Sequence, residues 1–263
     1  PPAPPPPPSP PPPPAAWSGA PPLITARYGH AVVALRGVVY ACGGMGVNST
    51  LRSCEKFDPR VGSWSLDVPP LPKLQGLAVG RYLVAAVTVQ DEAIYVMGGT
   101  DGVGGMIATV DIYTGPGSPW VPGPAMPTVR IYHAAGVIED VAQQNPAIVV
   151  VGGRVGSTAP DWSSRTTVYE QYLAAWSQRA DMLVPRMYPA AGVVNNTLFV
   201  AGGATVDYEV TDTVERYDFH GDAWAKVAAL PAPVAAATAG VVIGVNGLLL
   251  LTTGGLTRVS PPG

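Results

Sequence analysis

The sequence predicts an all-β fold built from repeats, and three observations carry that prediction. The first is an apolar run closed by a glycine doublet, Val38-Val39-Tyr40-Ala41-Cys42-Gly43-Gly44, which returns at doublets 98-99, 152-153, 202-203 and 254-255. Successive first glycines stand 55, 54, 50 and 52 residues apart, and a period near 50 marks a repeat architecture. The second is a tryptophan in phase with the doublet: Trp64, Trp120, Trp176 and Trp224 follow it by 21, 22, 24 and 22 residues. The third is punctuation. Short β-branched runs such as Ala31-Val32-Val33-Ala34-Leu35 are divided by the turn pairs Arg36-Gly37, Asn195-Asn196 and Asn246-Gly247, which read as hairpins.

Two more markers keep the same phase. An aromatic residue precedes each tryptophan (Phe57, Tyr113, Tyr172, Tyr217), and a carboxylate stands two places before that aromatic (Glu55, Asp111, Glu170, Glu215). An arginine follows Trp17, Trp120 and Trp176 by ten residues (Arg27, Arg130, Arg186), and after Trp64 it is delayed to Arg81 by a seven-residue insertion. The order arginine, Gly-Gly, acid-x-aromatic, tryptophan resembles the kelch repeat, over residues 17–255. That resemblance implies a β-propeller of four-stranded antiparallel blades. It also implies that the large indole fills the space left above the doublet, where positive φ and close backbone approach require glycine. Regular spacing assigns each arginine to its own blade, paired with that repeat's carboxylate: Arg27 with Glu55, Arg81 with Asp111, Arg130 with Glu170, Arg186 with Glu215.

Residues 1–16 form a proline-rich tract, and 17–263 suit one propeller domain, since each repeat buries its face only against its neighbours. Copy five has Val234 where the others have arginine, and Trp17 reads as the fourth-strand tryptophan of a blade whose earlier strands are absent. A fragment of a six-bladed ring is the expectation; a closed five-bladed ring is the alternative. Residues 227–251 carry no charge, but Pro231 aligns with Pro127 and Pro185, and Asn246-Gly247 falls where other copies turn. The stretch is therefore read as a hairpin and not as a membrane span.

Charged residues make up 13% of the chain and the net charge is −3, which removes the electrostatic case for nucleic acid. The proline tract resembles extensin-like wall glycoproteins; an unmodified rigid linker and a ligand for profilin or other polyproline-recognising proteins are the alternatives. Cys42 and Cys54, the only cysteines, flank the loop after the first doublet, close enough to bond if their side chains share a face. Asn48-Ser49-Thr50 and Asn195-Asn196-Thr197 are glycosylation sequons in predicted turns. Together these features favour an extracellular or wall address over a cytoplasmic one.

The search for chemistry is negative. His30 and His133 each lie three residues after an arginine, a repeat position that reads as structural, and His220 sits in a turn. No catalytic, cofactor or metal residues are assigned. The expected function is a non-catalytic protein-interaction module. Its resemblance to kelch proteins that recruit substrates to ubiquitin ligases concerns the propeller alone. The alternatives are a galactose oxidase-like copper radical oxidase and a cytoskeletal protein that uses the proline tract for profilin. The binding surface is expected on the face bearing the loops between second and third strands and the blade-to-blade connectors. From the second glycine to the aromatic that loop measures 13, 14, 19 and 14 residues, so copy three carries about five extra within 154–165. Trp162, out of phase with the other tryptophans, lies in it between Arg154 and Arg165; Tyr208 and Asp101 occupy the same loop in copies four and two. The opposite face has its own insertion, 139–146, without a large apolar residue.

Overall fold

The computed structural model describes residues 19–72, 80–140, 145–156, 162–236, 238–244 and 247–253. The proline tract, Trp17, Asn246 and the doublet Gly254-Gly255 lie outside them, as do parts of the three insertions (73–79, 141–144 and 157–161).

Blade one is the antiparallel sheet β1 (Ala31–Leu35), β2 (Val38–Cys42), β3 (Cys54–Asp58) and β4 (Ser63–Ser65). Blade two repeats it with β5 (Ala85–Val89), β6 (Ala93–Met97), β7 (Val110–Tyr113) and β8 (Val121–Gly123). A two-residue strand, β9 (Arg130–Ile131), leads into blade three, which comprises β10 (Ala134–Asp140), β11 (Asn145–Val151), β13 (Thr166–Glu170) and β14 (Ala175–Arg179). Strand β12 (Arg154–Val155) pairs with β9 beside that blade. Blade four is β15 (Ala190–Val194), β16 (Thr197–Ala201), β17 (Val214–Asp218) and β18 (Ala223–Lys226). Copy five supplies the hairpin β19 (Thr238–Gly244) and β20 (Gly247–Thr253), so the uncharged stretch runs as two strands. Among the described residues no helix is long and apolar enough to cross a membrane.

The first strands contact one another in sequence, β1 with β5, β5 with β10, β10 with β15 and β15 with β19, so the blades pack face to face around their inner edges. This explains why the runs before the doublets are continuously apolar. Side chains alternate across a strand, and both faces of blades two and three are covered. Ile94 and Val96 of β6 join Tyr40 and Leu35 of blade one, whereas Tyr95 and Met97 join Ile148 and Val150 of blade three. On β11 the alternation continues, with Ala147, Val149 and Val151 packed on Leu198 and Val200 of blade four. Each such valine, leucine, isoleucine or methionine contributes roughly 1.5–3 kcal/mol when fully buried.

The glycine doublets are where one blade is fastened to the next. The second glycine donates its amide to the carbonyl of the residue at the arginine position of the following blade: Gly44 to Arg81 (2.9 Å), and Gly99 to Arg130, Gly153 to Arg186 and Gly203 to Val234 (2.8 Å each). That same carbonyl lies only 2.2 to 2.8 Å from where a Cβ on the first glycine would stand, at Gly43, Gly98, Gly152 and Gly202. Both glycines hold positive φ, between 64° and 99°. The space above the doublet is therefore filled by the neighbouring blade's backbone and not, as the resemblance implied, by the indole. The indoles of blades two to four instead wedge between blades. Trp64, Trp120, Trp176 and Trp224 donate Nε1–H to the carbonyls of Pro21, Pro69, Pro124 and Ala180, all in connectors that precede their own blade's first strand.

Each indole also packs on an aromatic residue of its own blade, and this corrects the reading of copy three. The pairs are Phe57–Trp64, Tyr113–Trp120, Tyr217–Trp224 and Tyr169–Trp176, with centroids 4.9 to 5.4 Å apart. Tyr172 sits exposed on the turn between β13 and β14. With Tyr169 in register, the loop lengths become 13, 14, 16 and 14, so copy three is longer by two or three residues and not by five.

Replacing Gly152 by alanine places a Cβ against the Arg186 carbonyl at φ +65°, whereas Gly117 (φ +84°) has open space around it. Both variants incur left-handed strain, on the order of 1–3 kcal/mol. Gly152→Ala is expected to lose distinctly more stability than Gly117→Ala in urea unfolding, because only there does a backbone stand in the way.

Candidate interaction face

First strands begin, and second strands end, on the same side of the sheet, so the connectors and the loops after the doublets share one face. There the residue following each doublet is bridged to the residue following each arginine position: Met45 to Tyr28, Thr100 to Tyr82, Arg154 to Ile131 and Ala204 to Met187. The same four residues are bridged on their other side to the loop, at Thr50, Met106, Trp162 and Val210. Trp162 is out of phase with the other tryptophans, yet it occupies a repeat position, the loop bridge.

Around it lies an aromatic cluster. Trp162 meets Tyr208 edge-on at 5.1 Å, and Tyr132 and Tyr188 have ring centroids 4.0 Å apart; all four pack on Met187, Ala204 and Ala235 while staying partly exposed. Tyr28, more than half exposed, meets Tyr82 edge-on at 6.2 Å further round the rim. The four tyrosines one or two places after an arginine, 28, 82, 132 and 188, were not singled out above, although their phase with Arg27, Arg81, Arg130 and Arg186 is visible in the sequence. Burial, followed by the Tyr132 hydroxyl, raises the pKa of the Tyr188 phenol, which stays neutral.

Of the other candidate residues, Arg165 is exposed and Arg154 half-buried at the ends of the copy-three loop. Asp101 is not on this surface. It is buried, and its carboxylate accepts the amides of Val103 and Gly105 inside its own loop. Asn48 is exposed on this face, and Asn195 on the opposite one, in a two-residue turn where it and Asn196 both take positive φ. Cys42 and Cys54 stand directly opposite each other on β2 and β3 and are joined by a disulfide.

Beneath the face lie the arginines. In blade one, Arg27 Nη1 donates to the carbonyls of Gly43 and Ser53, and Nη2 to Glu55 (2.6 Å). The Glu55 carboxylate also accepts the amides of Ile24 and Thr25. Burial works against its ionisation, but Arg27 and the two amides outweigh that and hold its pKa below the ordinary value. Blade four repeats this clamp, with Arg186 on Gly202, Thr213 and Glu215, and with Leu183 and Val184 supplying the amides. In blade two Arg81 meets Asp111 at 2.5 Å. The expected pair of Arg130 with Glu170 does not form: Glu170 bonds Arg179. The strand register shows why. Glu55, Asp111 and Glu215 stand opposite Ala41, Val96 and Val200, two before the doublet, and in blade three that place, opposite Val150, belongs to Thr167.

His30 and His133 hold equivalent positions, with Cβ atoms packed over Gly44 and Gly153; the His133 ring also packs on Gly98 of blade two. Burial first, and then the Arg130 guanidinium, press the His133 pKa down to about 3.

The residues spanning the two complete clamps are also the ones that match a known family. The motif described as "Kelch motif" matches residues 26–70 and 185–231. Copies one and four are thus similar to the kelch motif. The fold is accordingly of the kelch-type β-propeller class, all-β with four-stranded antiparallel blades. The chain is 27% identical over 220 residues to Kelch-like protein 38 of Homo sapiens, covering 82% of this chain and 34% of that protein. It is 28% identical over 218 residues to Kelch-like protein 23 of Mus musculus, covering 82% and 35%. The chain thus spans about a third of the length of the curated relatives it matches.

Two outcomes follow from the buried charges. Arg186→Met strands Glu215 without its cation and is expected to cost roughly 3–5 kcal/mol; Arg130→Met orphans no carboxylate and should cost clearly less, as measured by denaturant unfolding. The second concerns acid. Folded His133 takes up its proton only near pH 3, whereas in the unfolded chain it does so near 6.5, so stability is lost as pH falls between those values. His133→Val, which copies Val84 of blade two, should lose about 2–3 kcal/mol less than the natural protein between about pH 6 and pH 4.

Proposed function

We propose that the protein is a non-catalytic interaction module, and that its kelch propeller holds a protein partner against the face bearing the connectors and the loops after the doublets. The observation that carries this reading is the aromatic concentration there: Trp162, Tyr208, Tyr132 and Tyr188 in one cluster, with Tyr28 and Tyr82 beside it. Tryptophan, tyrosine and arginine are the residue types that dominate interface hot spots, and Arg154 and Arg165 flank the cluster. On the opposite face Arg36-Gly37 and Asn195-Asn196 are tight two-residue turns, and the insertion there, 139–146, carries no large apolar residue. Support for a non-catalytic role comes from what the buried polar groups do. Three of the arginines hold carboxylates for the fold, and the two repeat histidines pack over glycine doublets, one to a blade.

Partners recovered from a native extract on the immobilised chain provide the test, with affinity then measured by calorimetry on the purified pair. Trp162→Ala should weaken binding by about 2 kcal/mol, roughly thirtyfold. Tyr172→Ala is the control, a more accessible aromatic on the opposite face, and should leave affinity unchanged. Loss at Tyr172 with none at Trp162 would overturn the assignment of the face.

A further inference from the structure

Blade three departs from its neighbours at two places, and both departures strip the same cation. In blades one, two and four the arginine finds a carboxylate two residues before the doublet's level (Glu55, Asp111, Glu215) and a hydroxyl residue two places earlier (Ser53, Thr109, Thr213). In blade three these positions hold Thr167 and Arg165. Arg130 nevertheless keeps the family's geometry. Its Nη1 donates to the carbonyls of Gly152 (3.1 Å) and Arg165 (2.9 Å), as Nη1 of Arg27 and Arg186 does at the matching carbonyls. By that equivalence Nη2 points where the missing carboxylate would lie.

Among the described residues nothing answers it. Arg130 has no exposed surface, and among the described residues its Nε and Nη2 have no hydrogen-bond partner. The Oγ1 atoms of Thr167 and Thr128 are also buried without one. Thr128 stands two places before Arg130, as Thr25 and Val184 stand before Arg27 and Arg186, and those two residues supply amides to the absent carboxylate's counterparts. A threonine is shorter than a glutamate, so the carboxylate's place is not filled from position 167. Burial, with Arg165 beside it, lowers the Arg130 pKa only to about 10, leaving a cation at neutral pH. A buried charge without a partner is among the costliest arrangements in a protein.

We infer that Arg130, Thr167 and Thr128 form a buried site for a small monovalent anion, which takes the place that glutamate or aspartate occupies in the other blades. Chloride is the occupant of that class in salt solution: it is monatomic, accepts several donors at once, and needs no room beyond a lost carboxylate. The guanidinium supplies the charge and the two hydroxyls donate. The exposed Asp181 is the acidic group that acts on Arg130 through space, and it does not reach the guanidinium's free nitrogens.

Two experiments test this on the whole chain. In crystals soaked with bromide, anomalous density is expected within hydrogen-bond reach of Arg130 Nη2; its absence there at high occupancy elsewhere overturns the site. In solution, replacing gluconate by chloride at constant ionic strength should raise the melting midpoint by about 2–4 °C. Thr167→Glu, which restores the carboxylate of blades one and four, should melt at the same temperature in both salts and no lower than the natural protein in chloride. Equal midpoints for the natural protein in the two salts, or a chloride effect that persists undiminished in Thr167→Glu, would overturn the proposal. The bromide measurement needs no variant and stands whether or not Thr167→Glu folds.

Discussion

The hydrogen bond from the second glycine of each doublet to the carbonyl at the next blade's arginine position is the constraint on which the architecture rests. It recurs at four successive junctions with nearly constant length. It requires positive φ at both glycines, and it brings a foreign backbone so close to the first that no side chain fits. A net hydrogen bond contributes only about 1 kcal/mol, but a buried amide left without one costs more. The seam between blades is therefore set by backbone geometry, and side-chain packing follows it.

From that seam the arginine acts in two directions. Its carbonyl receives the previous blade, while its guanidinium gathers two carbonyls and a carboxylate of its own blade. The indole closes the same junction from outside by bonding the incoming connector. Rigid fastening on the inner edge frees the loops after the doublets to vary. They share a short ladder in which Met45, Thr100, Arg154 and Ala204 are held from both sides. Each loop thus offers a fixed rung, filled by threonine, methionine, tryptophan or valine.

The blade order, the hairpins and the fifth copy's strands were legible because period, glycine and turn chemistry all repeat. Three of four arginine pairs were legible for the same reason. The fourth failed because Glu170-Gln171-Tyr172 imitates acid-x-aromatic one turn too late. The distance from aromatic to tryptophan is seven residues in every other copy and identifies Tyr169 at once. What fills the space over a doublet was not legible, because a neighbour's carbonyl leaves no residue type to read. The aromatic rim was half legible. Trp162 stood out by being irregular, whereas Tyr28, Tyr82, Tyr132 and Tyr188 were hidden by their regularity.

Val234 shows what the doublet bond tolerates. It lacks a guanidinium, yet its carbonyl still accepts the amide of Gly203 at 2.8 Å. Sequence drift in this fold therefore has a direction. A repeat that loses its arginine loosens only itself, since the bond it offers backwards is made by an atom every residue possesses. Doublets are less forgiving, because a lost glycine opens the seam ahead of it. Copies of this repeat should accordingly erode at the arginine long before they erode at the glycines, and a worn copy can still serve as a sound neighbour.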